Sequence, residues 1–110
     1  MTLLLVALGA GVGAALRYTA GHLLDGAFPR GTLLVNVVGS TLLGALSALS
    51  LSGSAMALFG VGLCGGVTTF SSFAVQAHDR GRRLGTAYAL LTVVLSLAGC
   101  FLGFLVAAQL

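Results

Sequence analysis

The sequence predicts an all-α membrane protein with four transmembrane helices in a single domain over residues 1–110. Hydrophobic residues make up 58% of the chain and charged residues only 6%, whereas about a quarter of a soluble domain is charged. The charges are also segregated, since none lies between residues 31 and 77 or after residue 83. A membrane crossing needs about 20 apolar residues, so the first run fits two helices, the second fits one, and the residues before Arg17 begin a fourth.

We predict the helices over residues 3–23, 32–51, 55–76 and 84–108. Polar or turn-forming residues separate them, as expected where a chain leaves the bilayer. The first connection contains Asp25 and Pro29, the second is Ser52-Gly53-Ser54, and the third runs from His78 to Arg83. The helices and connections use up the chain and leave no room for a soluble enzyme core, so we expect no enzymatic activity. The net charge of +3 comes from arginines at the membrane edges and predicts no nucleic-acid partner.

Helix 1 carries Arg17, the only charge predicted inside a membrane segment. Its long side chain either reaches the membrane interface or serves a water-filled vestibule or cation site. Helix 1 also begins a series of glycine pairs spaced four residues apart, which lets another helix approach closely. These pairs are Gly9/Gly13, Gly62/Gly66 and Gly99/Gly103.

Helices 2 and 4 each carry a polar stripe at i, i+4 and i+8, a spacing that places its members on one helical face. The two stripes are Thr32, Asn36 and Ser40, and Tyr88, Thr92 and Ser96. Considered alone, Asn36 fits a hydrogen bond to another helix and a role in a pore equally well. Together the stripes predict a hydroxyl-lined path, because such donors can replace the hydration shell of a small anion.

Helix 3 contains the least lipid-like part of the apolar runs. Gly65 and Gly66 are followed by four hydroxyl residues, Thr68, Thr69, Ser71 and Ser72. This composition predicts a break in the helix, which hydrocarbon tolerates only where the freed backbone is buried in protein or lines a wet cavity. There, carbonyls can hold a hard cation and hydroxyls can donate to an anion. The alternative is a continuous helix whose hydroxyls bond their own i−4 carbonyls.

Phe70 and Phe73 share a face with this segment. Most aromatic side chains in membrane helices serve packing, but the positive edge of a phenyl ring can also contact an anion. A different observation separates possible mechanisms: the chain has no glutamate, and both aspartates lie in connections. A proton-coupled exporter needs a carboxylate inside the membrane, whereas passive conduction does not, so a channel is favoured over a pump. The alternatives left open are a small proton-coupled multidrug exporter and a structural, holin-like membrane subunit.

Three motifs carry a family resemblance: GVGAALRY over residues 11–18, GTLLVNVVGS over 31–40 and GGVTTFSSF over 65–73. They resemble the signature stretches of the Fluc (CrcB) fluoride channels of bacteria, and the chain length and four-helix plan agree. The resemblance implies a multi-pass protein of the bacterial cell membrane that lowers cytoplasmic fluoride by passive efflux. It also implies an antiparallel dimer, surrounded by membrane lipid, with two fluoride pores.

The resemblance further implies roles for individual residues. Asn36 would be a pore-lining donor, and Phe70 and Phe73 the aromatic pair that contacts fluoride. Ser71 and Ser72 would supply hydroxyls near the path, and Tyr88 with Thr92 would form its helix 4 side. A structural sodium ion on the dimer axis would be held by backbone carbonyls, here those of Gly65 and Thr68 from each subunit.

The arginines predict how the chain is oriented. Four helices place residues 25–31 and 77–83 on one side, with Arg30, Arg80, Arg82 and Arg83, and no Lys or Arg on the other side. The positive-inside rule therefore predicts that these two connections are cytoplasmic and that both termini are outside. A chain that inserts in one orientation needs a partner of the opposite orientation to form an antiparallel dimer. We therefore predict a heterodimer with a paralogous subunit.

Overall fold

The computed structural model describes all 110 residues, and it confirms the predicted all-α class. Its elements are α1 (Thr2–Leu24), α2 (Arg30–Ala48), α3 (Gly53–Ala55), a π-helix (Met56–Cys64), α4 (Gly65–Val67), α5 (Ser71–Asp79) and α6 (Gly81–Ala108). Four helical stretches are long and apolar enough to cross a membrane. The third of them, Gly53–Asp79, comprises α3, the π-helix, α4 and α5, and we call it the third span.

The ends of the elements follow from local chemistry. Helix α2 ends at Ala48 rather than at residue 51, because the next residues turn and Ser50 has a left-handed φ of 54°. The Ser52 side chain then accepts a hydrogen bond from the Ala55 N–H and caps α3. Helix α6 begins at Gly81 rather than at residue 84, and a φ of 82° at this glycine makes the sharp turn after α5 possible.

Helix α1 packs closely against the π-helix and α4, as the glycine spacing predicted. A Cβ atom on Gly13 would lie 2.5 Å from the Leu63 carbonyl oxygen and 2.6 Å from the Val67 nitrogen, and one on Gly66 would lie 2.5 Å from the Ala10 carbonyl oxygen. Helices α2 and α6 meet in the same way, since a Cβ on Gly103 would collide with the Thr41 carbonyl. Small residues thus let backbone pack on backbone where lipid offers no hydrophobic drive for association.

The outer surface is apolar, and the dimensions match a bilayer. Only 19 of 110 residues are buried, so most leucine, valine and phenylalanine side chains face outward. The molecule measures 43 × 30 × 19 Å, and its long axis compares with the roughly 40–45 Å of a bilayer that includes its headgroups. Arg80 donates hydrogen bonds to the Gly26 and Ala27 carbonyls, so the two arginine-bearing connections lie at the same end.

Candidate functional site: a polar groove beside the third span

The Asn36 side chain pairs with the backbone of Thr69. The Thr69 N–H donates to Asn36 Oδ1 over 2.8 Å, and Asn36 Nδ2 donates to the Thr69 carbonyl over 3.2 Å. Because an N–H can only donate and a carbonyl can only accept, this pair fixes the orientation of the amide. Asn36 is buried and satisfies a backbone segment that no helix includes.

Two helices of the third span meet at the same place. Helix α4 ends at Val67, the next residue, Thr68, is extended with ψ of 157°, and α5 begins at Ser71. The Thr68 hydroxyl and N–H both donate to the Cys64 carbonyl, while the Gly66 carbonyl accepts a hydrogen bond from Arg17 Nε over 3.2 Å. The positively charged Arg17 side chain therefore lies at the C-terminal end of α4, where the helix dipole is negative. The Thr68 carbonyl accepts no hydrogen bond within the chain.

A groove of about 690 Å³ runs along this segment between α2, the third span and α6. Its lining contains no charged side chain. The polar side chains are one amide and several hydroxyls of serine and threonine, and the two aromatic side chains are both phenylalanines. The lining includes Asn36, Ser40, Gly65, Thr68, Thr69, Phe70, Phe73, Thr92 and Ser96. Six of the ten predicted site residues thus line one surface: Asn36, Gly65, Thr68, Phe70, Phe73 and Thr92.

Helix α6 presents two unused hydroxyls to this groove. Thr92 Oγ1 and Ser96 Oγ are buried and have no hydrogen-bond partner within the chain, although both residues line the groove. A buried hydroxyl without a partner is costly, and most buried polar groups are bonded. These two residues thus bring hydroxyls without a partner in the chain to the lining of the groove.

The remaining predicted site residues lie elsewhere. Ser72 and Arg17 line a second, smaller cavity of about 330 Å³, and Thr69 lines both cavities. Ser71 is exposed at the start of α5, with its hydroxyl 3.4 Å from that of Thr69. Tyr88 lines neither cavity and is fully buried, with no accessible surface.

Four aromatic rings form a row that ends in the groove. The ring centroids of Phe70 and Phe73 are 5.9 Å apart, and those of Phe73 and Tyr88 are 5.4 Å apart. Phe28 completes the row with its ring perpendicular to that of Tyr88, at 5.6 Å. Sequence reasoning did not single out Phe28, because a phenylalanine beside a turn carries no signal of its partners.

Sequence reasoning also missed the partner of Tyr88. The Tyr88 hydroxyl donates to Gln76 Oε1 over 3.2 Å, and Gln76 Nε2 donates to Asp25 Oδ2 over 3.0 Å. The signal that could have found Gln76 is its spacing, since it follows Phe73 at i+3 and so shares the helical face of that residue.

The fold and groove define a small multi-pass membrane protein with an uncharged polar surface inside an apolar body. The family model described as "CrcB-like protein, Camphor Resistance (CrcB)" matches residues 4–106, and the chain belongs to this family. A protein of Rhodococcus jostii strain RHA1, "Fluoride-specific ion channel FluC 2", is 47% identical over 94% of this chain and 96% of its own length. The fluoride-specific ion channels FluC of Rhodospirillum rubrum and Coxiella burnetii (strain Dugway 5J108-111) are each 40% identical, over 94% and 100% of this chain and 88% and 100% of their own lengths.

Proposed function

We propose that the chain is one subunit of a fluoride-selective ion channel of the bacterial cell membrane, through which fluoride leaves the cytoplasm passively. The observation that carries the proposal is the lining of the groove, which contains both Thr92 and Ser96, whose hydroxyls have no partner within the chain, and the rings of Phe70 and Phe73. Fluoride is small and strongly hydrated, so it can enter only where donors replace its water. A lining without fixed cations provides hydrogen-bond donors for the anion but does not bind it so tightly that it cannot leave.

Several of the predicted residues have a part in this path. The second hydrogen of Asn36 Nδ2 is the amide donor, since the first is bonded to Thr69. The phenyl rings offer their positive edges, and Thr92 and Ser96 offer hydroxyls. Arg17 with Ser72 forms a vestibule in the smaller cavity, which Asp25 also lines, and Thr69 connects this vestibule to the groove because it lines both cavities.

We propose further that a second subunit covers the groove in an antiparallel dimer. Phe70 is 78% exposed in the single chain, which suits a ring that completes a path with residues of another subunit. The third span then acts as a broken helix whose freed backbone faces the partner. Gly65 supports this arrangement, because no atom of its own chain lies within 4 Å of the position of its missing Cβ.

The same backbone is suited to a structural sodium ion. The Thr68 carbonyl has no partner within the chain, and Gly65, beside it in the groove, has no side chain to block approach. Carbonyl oxygens are the ligands that hard cations prefer in membrane proteins. We propose that Gly65 and Thr68 of both subunits hold Na⁺ at the dimer axis, where it ties the two broken helices together.

The charge distribution supports an unlike partner. Four of the five arginines, all but Arg17, lie in the two connections at one end of the molecule. There the Arg80 side chain donates to the Gly26 and Ala27 carbonyls and so links the two connections. Such a bias favours a single orientation. The partner in an antiparallel dimer is therefore a paralogous subunit with the opposite bias.

Flux through liposomes tests the proposed function. Liposomes that contain the chain, with and without the paralogous subunit, should release fluoride without a pH gradient and retain chloride. Equal release of chloride would reject a selective path. Fluoride release that depends on a proton gradient would favour a coupled exporter, and no release under any condition would favour a structural membrane subunit.

A further inference from the structure

An open cleft lies between the end of α5 and the first turns of α6. Its volume is about 670 Å³, and no residue lines both this cleft and the groove. Ala77 and His78 form its α5 side. On α6 the lining residues include Arg82, Thr86 and Leu90. We call this cavity the Arg82 cleft.

Small residues keep the cleft open. A Cβ atom on Gly85 would collide with the Ala77 carbonyl, so α5 and α6 meet backbone to backbone at this point. Gly81 and Ala89 lie one turn before and one turn after Gly85 on the same face of α6, and both line the cleft. Because none of these residues has a side chain larger than a methyl group, the space beside the helix contact stays unfilled.

The chemistry of the cleft changes along α6. Arg82, Thr86 and Leu90 follow one another at i, i+4 and i+8, so one helical face presents a cation, then a hydroxyl, then an aliphatic side chain. Eight residues of α-helix span about 12 Å, whereas the headgroup layer on each side of a bilayer is only about 5–8 Å thick. The cleft therefore extends from the headgroup layer into the hydrocarbon, where Leu90 is 62% exposed.

The charge at the outer end of the cleft has no partner in the chain. Of the five arginine side chains, only those of Arg17 and Arg80 donate hydrogen bonds within the chain, so the donors of the Arg82 guanidinium are free. No acidic residue lines the cleft, and the His78 imidazole adds a further nitrogen donor to the lining. A phosphate group suits this end, because a guanidinium can donate to two phosphate oxygens at once.

We propose that the Arg82 cleft binds one anionic phospholipid, with its phosphate at Arg82 and His78 and an acyl chain along Ala89 and Leu90. Basic pockets between transmembrane helices are recognised sites for such headgroups. A free anion would use only the outer end, whereas a lipid also covers the exposed Leu90 side chain. The bound lipid ties the end of α5 to α6. No residue of the proposed fluoride path lines the cleft, so this proposal does not depend on the proposed function.

Quenching of a tryptophan by brominated lipid tests the proposal. The chain has no tryptophan, so Leu90→Trp places a single indole at the inner end of the cleft. The full chain is reconstituted in nanodiscs of phosphatidylcholine with a minor share of phosphatidylglycerol, and bromine is carried by the acyl chains of one lipid or the other. Both leaflets have the same composition, so the result does not depend on the orientation of the chain. At equal amounts of brominated lipid, phosphatidylglycerol should quench at least about threefold more than phosphatidylcholine, since one arginine near the surface is worth about fivefold in local anionic lipid.

Two matched pairs of variants in the Leu90→Trp chain locate the contact. Arg82→Gln should remove most of the excess quenching by phosphatidylglycerol, whereas Arg83→Gln removes the same charge from outside the cleft and should leave the excess unchanged. Thr86→Phe fills the cleft without changing its charge and should also remove the excess, whereas Ala87→Phe adds the same ring outside the cleft and should not. All four substituted residues are exposed, so none of these variants should disturb folding.

Several outcomes would overturn the proposal. Equal quenching by the two brominated lipids would show that the cleft does not select an anionic headgroup, and equal losses in Arg82→Gln and Arg83→Gln would show a diffuse surface charge. Added glycerol 3-phosphate should leave the quenching unchanged, and displacement of the lipid by it would assign the cleft to a soluble phosphate. Quenching by neither lipid would show that protein covers the cleft.

Thermal unfolding in detergent provides a readout without the tryptophan. A ligand that binds the folded chain raises its stability, so added phosphatidylglycerol should raise the unfolding temperature of the unmodified chain and of Arg83→Gln more than that of Arg82→Gln. Equal shifts in the three chains would also overturn the proposal.

Discussion

Asn36 and Thr69 form a reciprocal pair in which one side-chain amide satisfies both the N–H and the carbonyl of one residue, over 2.8 Å and 3.2 Å. The two residues belong to different spans, and Thr69 lies where the groove and the smaller cavity meet. This pair holds an irregular backbone segment in place and leaves one amide hydrogen for an ion. It therefore connects the stability of the third span to the path that we propose.

Replacing Asn36 should affect both properties. Asn36→Leu leaves the N–H and carbonyl of Thr69 without partners and should lower the unfolding free energy by about 1–3 kcal/mol. Asn36→Asp keeps the acceptor but adds a negative charge beside an anion path, and fluoride efflux should fall at least about tenfold, equivalent to 1.4 kcal/mol. Efflux from liposomes and thermal unfolding in detergent measure the two effects. Ser47→Ala, whose hydroxyl bonds only the Leu43 carbonyl of its own helix, is the control, and equal losses in it would contradict the assignment.

The aromatic pair should be sensitive to the loss of its rings. Phe73→Leu and Phe70→Leu keep an apolar side chain but remove the positive ring edge, so fluoride efflux should fall at least about tenfold, as for the loss of one good contact. Phe101→Leu, on an exposed face of α6 outside the groove, should change efflux by less than about twofold. A similar efflux in Phe73→Leu and Phe101→Leu would show that the rings serve packing alone.

The glycines of α1 provide a matched pair for stability. Gly13→Ala would place its Cβ within 2.6 Å of backbone atoms of the third span, whereas Gly11→Ala would meet no atom within 4 Å. We expect Gly13→Ala to destabilise the fold by about 1–3 kcal/mol through overpacking, and Gly11→Ala to stabilise its helix by up to about 1 kcal/mol. Thermal unfolding in detergent measures both. Equal stabilities would contradict the close packing of α1 against the π-helix and α4.

Gly65 tests the proposed dimer in the same way. Both Gly65 and Gly11 lack a neighbour within 4 Å of a hypothetical Cβ, but only Gly65 lines the groove. Gly65→Leu should therefore leave the subunit folded and lower the dimer fraction at least about tenfold, because the added side chain occupies the interface and blocks the sodium site. Gly11→Leu should leave the dimer intact. Cross-linking in membranes measures the dimer fraction, and an unchanged fraction in Gly65→Leu would reject this face as the interface.

The orientation of the chain should depend on its exposed arginines. A reporter fused to the C-terminus should read outside only, because every Lys or Arg of the connections is at the other end. Arg82→Gln combined with Arg83→Gln should shift part of the population to the inverted orientation. Asp79→Asn is the control, since acidic residues contribute little to the rule. Equal inside and outside signals in the unmodified chain would contradict the single orientation and with it the need for an unlike partner.

Much of the fold follows from short-range patterns in the sequence. The two long uncharged runs predict the spans, because a bilayer excludes charge regardless of how the helices pack. Gly9, Gly13, Gly62 and Gly66 predict close packing, because no other residue allows backbones to meet so closely. The ends of α2 and α6 differ from the prediction, since Ser50 and Gly81 form turns whose dihedral angles no hydropathy pattern specifies.

The sequence by itself determined the class of the protein, its apolar surface and the residue types of the groove, because each of these depends on composition and on helical period. Only the tertiary structure decided which polar groups are free. Asn36, Tyr88 and Thr92 belong to similar stripes, yet Asn36 is bonded to Thr69, Tyr88 to Gln76, and Thr92 to nothing within the chain. A hydrogen bond forms between groups that are distant in sequence, so a side chain's own spacing tells which face it occupies but not whether its donor is already used.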